Sequence, residues 1–232
     1  MILSSLPNID YEIRNPVAVK ILCTFKAYKE HSNIAQFWHQ TDNDGNLISL
    51  ICLLNGYLNL WSKNEYTKEL LSFIKFLSPI GIFTGFDTAK ALKLKINEKC
   101  LCFEKNPPFK EYNYVESGTP RQLLEMLRSG LSSPDADSFI ADVTFRKYHG
   151  CAEYVIKDGG ALLFFNDTSG IINGIAVPEE MRKEGAGSTL LNLLISKMGN
   201  RRIYACCIKK NEKFYLKNGF TYIGDAAYCE EK

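Results

Sequence analysis

The chain has 232 residues, 46% of them hydrophobic and 12% aromatic, enough for a buried core in one large or two compact domains. With 28 Lys and Arg against 26 Asp and Glu, the formal charge is +2, so overall charge predicts no polyanionic partner. Eight cysteines and three histidines carry no Cys-x-x-Cys spacing, which argues against a zinc site and for a reduced, cytoplasmic protein whose cysteines pack as small hydrophobes.

In chain order, Val17, Ile21, Leu22 and Phe25 recur at helical spacing after Asn15-Pro16, predicting a helix over Pro16 to Lys29. The turn signal Asp42-Asn43-Asp44-Gly45 precedes a strand over Leu47 to Leu54, a turn at Asn55-Gly56 and a strand over Tyr57 to Trp61. The apolar run from Leu47 to Trp61 is interrupted by Asn55, Gly56 and Asn59 and is shorter than the roughly 20 residues of a membrane span, so no membrane association is expected. Leu70, Leu71, Ile74 and Leu77 share one face of a helix over Tyr66 to Leu77, and Ile80 to Thr84 reads as a buried strand.

Lys105 to Thr119, with Pro107-Pro108 and Ser117-Gly118-Thr119-Pro120, is the most linker-like stretch. It divides the chain into an α+β module over 1–112 and a second module over 113–232. Thr119 is placed to cap a helix over Pro120 to Leu131. Strands are then predicted over Phe139 to Arg146, Ala152 to Ile156, Ala161 to Asn166 and Ile171 to Val177.

The last of these strands runs into a glycine-bearing loop, Arg182-Lys183-Glu184-Gly185-Ala186-Gly187-Ser188. A helix follows, with Leu190, Leu191, Leu194 and Met198 on one face and a stop at Gly199-Asn200. A helix start carries about half a positive charge and unpaired N–H groups, so such a loop suits a phosphate. A Walker loop would need a lysine where Ser188 stands, and a dinucleotide loop would need a third glycine where Leu190 stands. Downstream, a strand over Ile203 to Ile208 leads into Asn211-Glu212-Lys213-Phe214-Tyr215-Leu216-Lys217-Asn218-Gly219-Phe220, a short helix that Asn211 can cap and Gly219 can end.

Together these residues resemble the GNAT superfamily of N-acetyltransferases. Arg182, Gly185 and Gly187 fill the fixed places of its pyrophosphate loop, and Phe214-Tyr215 with Gly219-Phe220 resembles its late motif. The stretch Val143 to Gly150 also looks like the superfamily's earlier strands. The resemblance spans roughly Ser138 to Tyr228, and it departs at Lys183 and Glu184, where many members carry glycine or a basic residue. It implies an α/β (α+β) fold with a central, mostly antiparallel sheet flanked by helices, and acetyl-coenzyme A as co-substrate. Cofactor-binding residues would be Ile175, Ala176 and Val177 at the strand end, the loop residues Arg182, Lys183, Glu184, Gly185, Ala186, Gly187 and Ser188, and Asn211. Tyr215 would protonate the leaving thiolate.

The acceptor implied is an amine, on a small molecule or at an amino terminus, with Glu153, Asp142, His149 or Glu179 as base candidates and a water relay as the alternative. Cys206 and Cys207 read as packing residues. In the first half, the order strand, strand, helix, strand from Ile48 to Thr84 suggests a degenerate copy of the same fold without the phosphate loop. The rival reading is a non-catalytic acyl-coenzyme A-binding sensor or partner-binding module. Nucleic acid is not an expected partner: Arg201, Arg202, Lys209 and Lys210 read as solvated surface.

Overall fold

The computed structural model describes residues 1–4, 6, 13–64, 67–112, 118–128, 135–182 and 185–230. The first half contains β1 (Ile2–Ser4), α1 (Pro16–Tyr28), β2 (Ala35–Thr41), β3 (Leu47–Leu54), β4 (Tyr57–Ser62), α2 (Thr67–Leu77), β5 (Gly81–Gly85), α3 (Phe86–Ala91) and β6 (Lys95–Lys105). The second contains α4 (Pro120–Arg128), α5 (Ala136–Tyr148), β7 (Ala152–Ile156), β8 (Gly160–Phe165), β9 (Ser169–Ala176), α6 (Ala186–Ser196), β10 (Arg202–Cys207), α7 (Glu212–Lys217) and β11 (Thr221–Glu230).

All eleven strands form one sheet in the order β1-β2-β3-β4-β5-β11-β6-β10-β9-β8-β7. Only β4·β5 and β9·β10 pair in parallel. Each half therefore repeats one plan: an antiparallel pair, a helical crossover and a parallel strand. The final strands are exchanged, so that β6 lies against β10 and β11 lies against β5.

Alternating side chains divide the sheet into two faces. Ile203 and Ala205 of β10 join Leu190, Leu191 and Leu194 of α6. Tyr204, between them, joins Val19 and Cys23 of α1, Leu123 and Leu127 of α4 and Val143 of α5. In the first half, Ile82 packs with Leu70 and Ile74 of α2, whereas Phe83 packs with Val17 and Ile21 of α1. Helices α1, α4 and α5 thus cover one face, and α2, α3, α6 and α7 the other.

Local chemistry explains several boundaries. Asn15 Oδ1 accepts from the backbone N–H of Val17 at 2.9 Å and of Ala18 at 3.3 Å, opening α1. Thr119 and Gln122 form a reciprocal box, with Gln122 N–H donating to Thr119 Oγ1 at 3.3 Å and Thr119 N–H to Gln122 Oε1 at 2.8 Å.

One expectation is overturned. The run Phe139 to Arg146 is not a strand but the middle of α5, so Val143 to Gly150 contributes no strand. Asp135 accepts from Ser138 N–H at 2.9 Å and opens a helix. The fully buried Arg146 then pairs with Asp142 one turn back, Nε to Oδ1 at 2.7 Å. A pairing at i,i+4 fixes period 3.6 where the apolar residues alone read as alternation.

No helix among the described residues is long and apolar enough to cross a membrane, and none of them form a cluster that could hold a metal ion.

Candidate active site

The site grows from a local irregularity in β9. Leu163 faces Ile172 and Leu162 faces Gly174, which leaves Asn173 as the extra residue of a bulge. A bulge bends its strand and increases the twist. β9 runs beside β10 only from Ser169 to Ile172, opposite Arg202 to Ala205. Beyond the bulge it stays with β8 through Ala176, and β10 continues beside β6 through Cys207. The two parallel strands part, and the β10-facing backbone of Gly174, Ile175 and Ala176 has no strand partner in the sheet. Such groups must find other partners.

After Ala176 the chain turns through Val177-Pro178 into a single 3-10 turn at Glu179–Met181. Arg182 folds back, its Nε donating to the Val177 carbonyl at 3.0 Å. This is its one hydrogen bond among the described residues, so both terminal nitrogens are uncommitted. Gly185, at φ +80°, caps α6 with no side-chain bond. A Cβ on Gly185 would meet no atom within 4 Å, so glycine is needed there for backbone conformation while the space in front stays open. The first bond back to the cap is Thr189 N–H to the Gly185 carbonyl at 3.0 Å. The N–H groups of Ala186, Gly187 and Ser188 precede any intrahelical acceptor. Lys183 and Glu184 lie outside the described residues.

Gly187 serves a different need. A Cβ there would stand 3.1 Å from the Phe214 ring and 3.7 Å from Val177 Cγ2. Its absence lets α6 press against α7 and the strand end, drawing the loop and the Phe-Tyr helix together. Gly159, which the sequence showed only as part of a turn, is positioned so that a Cβ would collide with the Ala176 carbonyl oxygen and approach Val177 Cα to 3.1 Å. The β7–β8 turn is thereby packed onto the parting end of β9.

Tyr215 is buried among aromatic rings, stacked on Phe103 at 5.5 Å and set edge-on to Phe214 at 5.2 Å and Phe220 at 5.4 Å. Its hydroxyl has no hydrogen-bond partner among the described residues. Burial, with the neighbouring thiols of Cys207 and Cys206, pushes its phenol up from the usual tyrosine range, so the group keeps its proton at neutral pH. Cys207 is itself pushed up to about 12 by burial. Cys206, whose Sγ lies 3.6 Å from Cys102 Sγ across β6·β10, is raised by that contact and by burial. Protonated thiols are poor nucleophiles, in keeping with the packing role expected of this pair.

Asn211 stands before α7 as expected, but its side chain makes no cap bond; it ends the 3-10 turn Lys209–Asn211 that leads into the helix. Gly219 closes α7 at φ +78°, as the sequence indicated. The base candidates separate by their partners. Asp142 accepts from Tyr28 Oη and Arg146 Nε, and Glu153 takes Lys147 Nζ at 2.9 Å and Lys197 Nζ at 3.1 Å. His149 lies tilted against Phe145 at 4.3 Å at the end of α5, and Glu179 is exposed. Asp142 and Glu153 are therefore committed to cations within the protein.

A mixed sheet whose parallel pair parts at a bulge thus stands beside an open, glycine-capped helix start. The family profile described as Acetyltransferase (GNAT) family matches residues 103–220, just over half of the chain, and the protein belongs to that family. No curated protein matches the sequence. Solved structures share the fold at low identity. A GCN5-related N-acetyltransferase from Sphaerobacter thermophilus has a TM-score of 0.55 at 11% identity, covering 92% of this chain and 90% of its own. A Drosophila protein reaches 0.60 at 11%, covering 94% and 91%. A tandem GNAT protein from the clavulanic acid biosynthesis pathway reaches 0.54 at 11%, covering 98% and 97%.

Proposed function

We propose that the protein transfers the acetyl group of acetyl-coenzyme A directly to an amine, on a small molecule or at an amino terminus, within one ternary complex. The observation that carries this reading is the parting of β9 from β10 at the Asn173 bulge beside the open, glycine-capped start of α6.

The residues divide the work. Arg182, through its terminal nitrogens, and the N–H groups of Ala186, Gly187 and Ser188 hold the pyrophosphate, within the loop that also contains Lys183, Glu184 and Gly185. The unpaired backbone of Ile175 and Ala176, with Val177 at the turn, receives the extended pantetheine arm and the oxyanion that forms at the thioester carbonyl. Asn211 borders the same end of β10. Acetyl-coenzyme A supplies the activated thioester. As the amine nitrogen bonds to the carbonyl carbon and the carbon–sulfur bond breaks, Tyr215 gives its proton to the sulfur, the amine proton leaves to water, and water returns a proton to the Tyr215 phenolate. The first half repeats the strand plan without a glycine loop and serves as a structural module.

The test is release of coenzyme A from acetyl-coenzyme A with a panel of primary amines and amino-terminal peptides. Amine-dependent release that falls at least tenfold in Arg182→Ala supports the reading. Acetyl-coenzyme A binding without release for any amine would favour a sensor, and no binding at all would reject both.

A further inference from the structure

β6 and β10 set two thiols against each other at the edge of the opening. Cys102 of β6 lies directly opposite Cys206 of β10 in an antiparallel register, with Sγ to Sγ at 3.6 Å. Directly opposed residues of an antiparallel pair stand about 4.5–5.5 Å apart at Cα, inside the roughly 4.4–6.8 Å that a disulfide spans. All the cysteines are free, and this is the one contact between thiol sulfurs among the described residues.

Cys102 is within reach of a small reagent. On its other side β11 is bulged: Phe103 faces Tyr222 and Cys102 faces Gly224, which leaves Ile223 as the extra residue. A Cβ on Gly224 would meet no atom within 4 Å, and Cys102, Ile223 and Gly224 all border a cavity of about 240 Å³. Cys206 is the member whose proton is held by the contact and by burial, so the first attack falls to Cys102. The pair also stands where it can act on the cleft. Ala205 is the last residue of β10 to pair with β9, opposite Ile172, and Cys206 follows it. Joining the sulfurs would shorten their separation to about 2.05 Å, drawing the end of β10 toward β6 and away from β9. A misplacement of about 1 Å at reacting atoms costs on the order of a hundredfold in rate.

We infer that Cys102 and Cys206 form a reversible disulfide, made by exchange with a low-molecular-weight disulfide, that slows acetyl transfer in the neighbouring cleft. The slowing rests on the transferase reading; the bond does not. The Cys102 sulfur bonds to one sulfur of the small disulfide, whose sulfur–sulfur bond breaks, and the departing thiolate takes the Cys102 proton. The Cys206 sulfur then bonds to Cys102, and the second thiolate leaves with the Cys206 proton. The protein gives up two electrons and the small disulfide gains them.

Incubation of the full chain with bis(2-hydroxyethyl) disulfide, followed by tryptic mapping without reductant, tests the bond. The peptides carrying Cys102 and Cys206 should appear as one cross-linked species that dithiothreitol separates. Cys100 and Cys207 travel in the same two peptides, so Cys100→Ser and Cys207→Ser should each keep the cross-link, while Cys102→Ser and Cys206→Ser should each lose it. Oxidation should lower the wild-type kcat for coenzyme A release at least tenfold, with recovery in dithiothreitol. Cys102→Ser should be as active as the reduced wild type and indifferent to the reagent. Absence of the cross-link, its survival in Cys102→Ser, or an unchanged kcat in the cross-linked protein overturns the inference. The map requires no acetyl transfer, so a missing bond is distinguished from a failed transferase reading.

Discussion

Replacing Tyr215 with phenylalanine separates a catalytic hydroxyl from a packing ring, because it keeps the ring and removes only the proton donor. The ring stacks on Phe103 and meets Phe214 and Phe220 edge-on, and phenylalanine preserves those contacts. What disappears is a hydroxyl with no hydrogen-bond partner among the described residues, so Tm should hold within about 2 °C. Catalysis should change. Proton donation by a positioned side chain is worth about 10² to 10⁴ in rate, so kcat should fall at least ~100-fold, close to 2.7 kcal/mol of barrier. The KM for acetyl-coenzyme A should hold within about threefold, since the proposed mechanism assigns that binding to the loop. Calorimetry and coenzyme A release on the same preparation check both halves. A variant that melts lower, or one that keeps kcat within a few-fold, would refute the assignment.

Two glycine variants should part in a similar way. Gly159→Ala places a Cβ against the Ala176 carbonyl, so it should displace the end of β9 and cost stability and acetyl-coenzyme A affinity together, as thermal melts and titration would show. Gly185→Ala meets no atom within 4 Å but keeps φ near +80°, a conformation costing about 1–2 kcal/mol for a non-glycine residue, so its loss of stability should be the smaller. Stability should also decline in alkali. Cys23 and Cys52 are fully buried, and burial pushes each thiol up to about 12. The folded chain therefore holds these protons above pH 9 while the unfolded chain releases them. Stability is fully present below that pH and falls as the pH rises toward about 12. Lys20, held below the usual lysine range by burial, opposes this below pH 10.5. Urea melts from pH 8 to 11 measure the net slope, and a flat profile would count against buried thiols.

The elements around the opening were legible because their parts are local. Arg182, Gly185 and Gly187 announce a glycine-capped helix start, and Phe214-Tyr215 with Gly219-Phe220 marks a short helix that Gly219 ends. The features missed are those made by distant chain segments. Asn173 becomes a bulge only when β8 and β9 pair, and nothing in Ile172-Asn173-Gly174 alone fixes that register. Gly159 is a turn residue by sequence, and its closeness to Ala176 is a tertiary fact. The stretch Phe139 to Arg146 misled because Phe, Ile, Val and Thr favour strands, while the helix is decided by Asp135, Asp142 and the depth at which Arg146 is buried.

The linker near residue 112 divides the sequence more cleanly than it divides the sheet. β6 precedes it, yet β6 hydrogen-bonds only to β10 and β11, which follow it. β11 in turn completes the first half by pairing with β5. Phe103 of β6 is the ring on which Tyr215 stacks, and the family match begins at that residue. A fragment of residues 1–112 would expose one edge of β5 and both edges of β6, and residues 113–232 would lack the wall behind Tyr215. Exposed edges of this kind favour aggregation. Produced separately, each fragment should lack a cooperative thermal transition. Co-expressed, they should form a one-to-one complex that melts cooperatively and binds acetyl-coenzyme A. A 1–112 fragment that is soluble and melts cooperatively alone would show that the exchange of β6 and β11 is not required for folding. The active cleft would then depend on the first half only for Phe103 and its neighbours in β6.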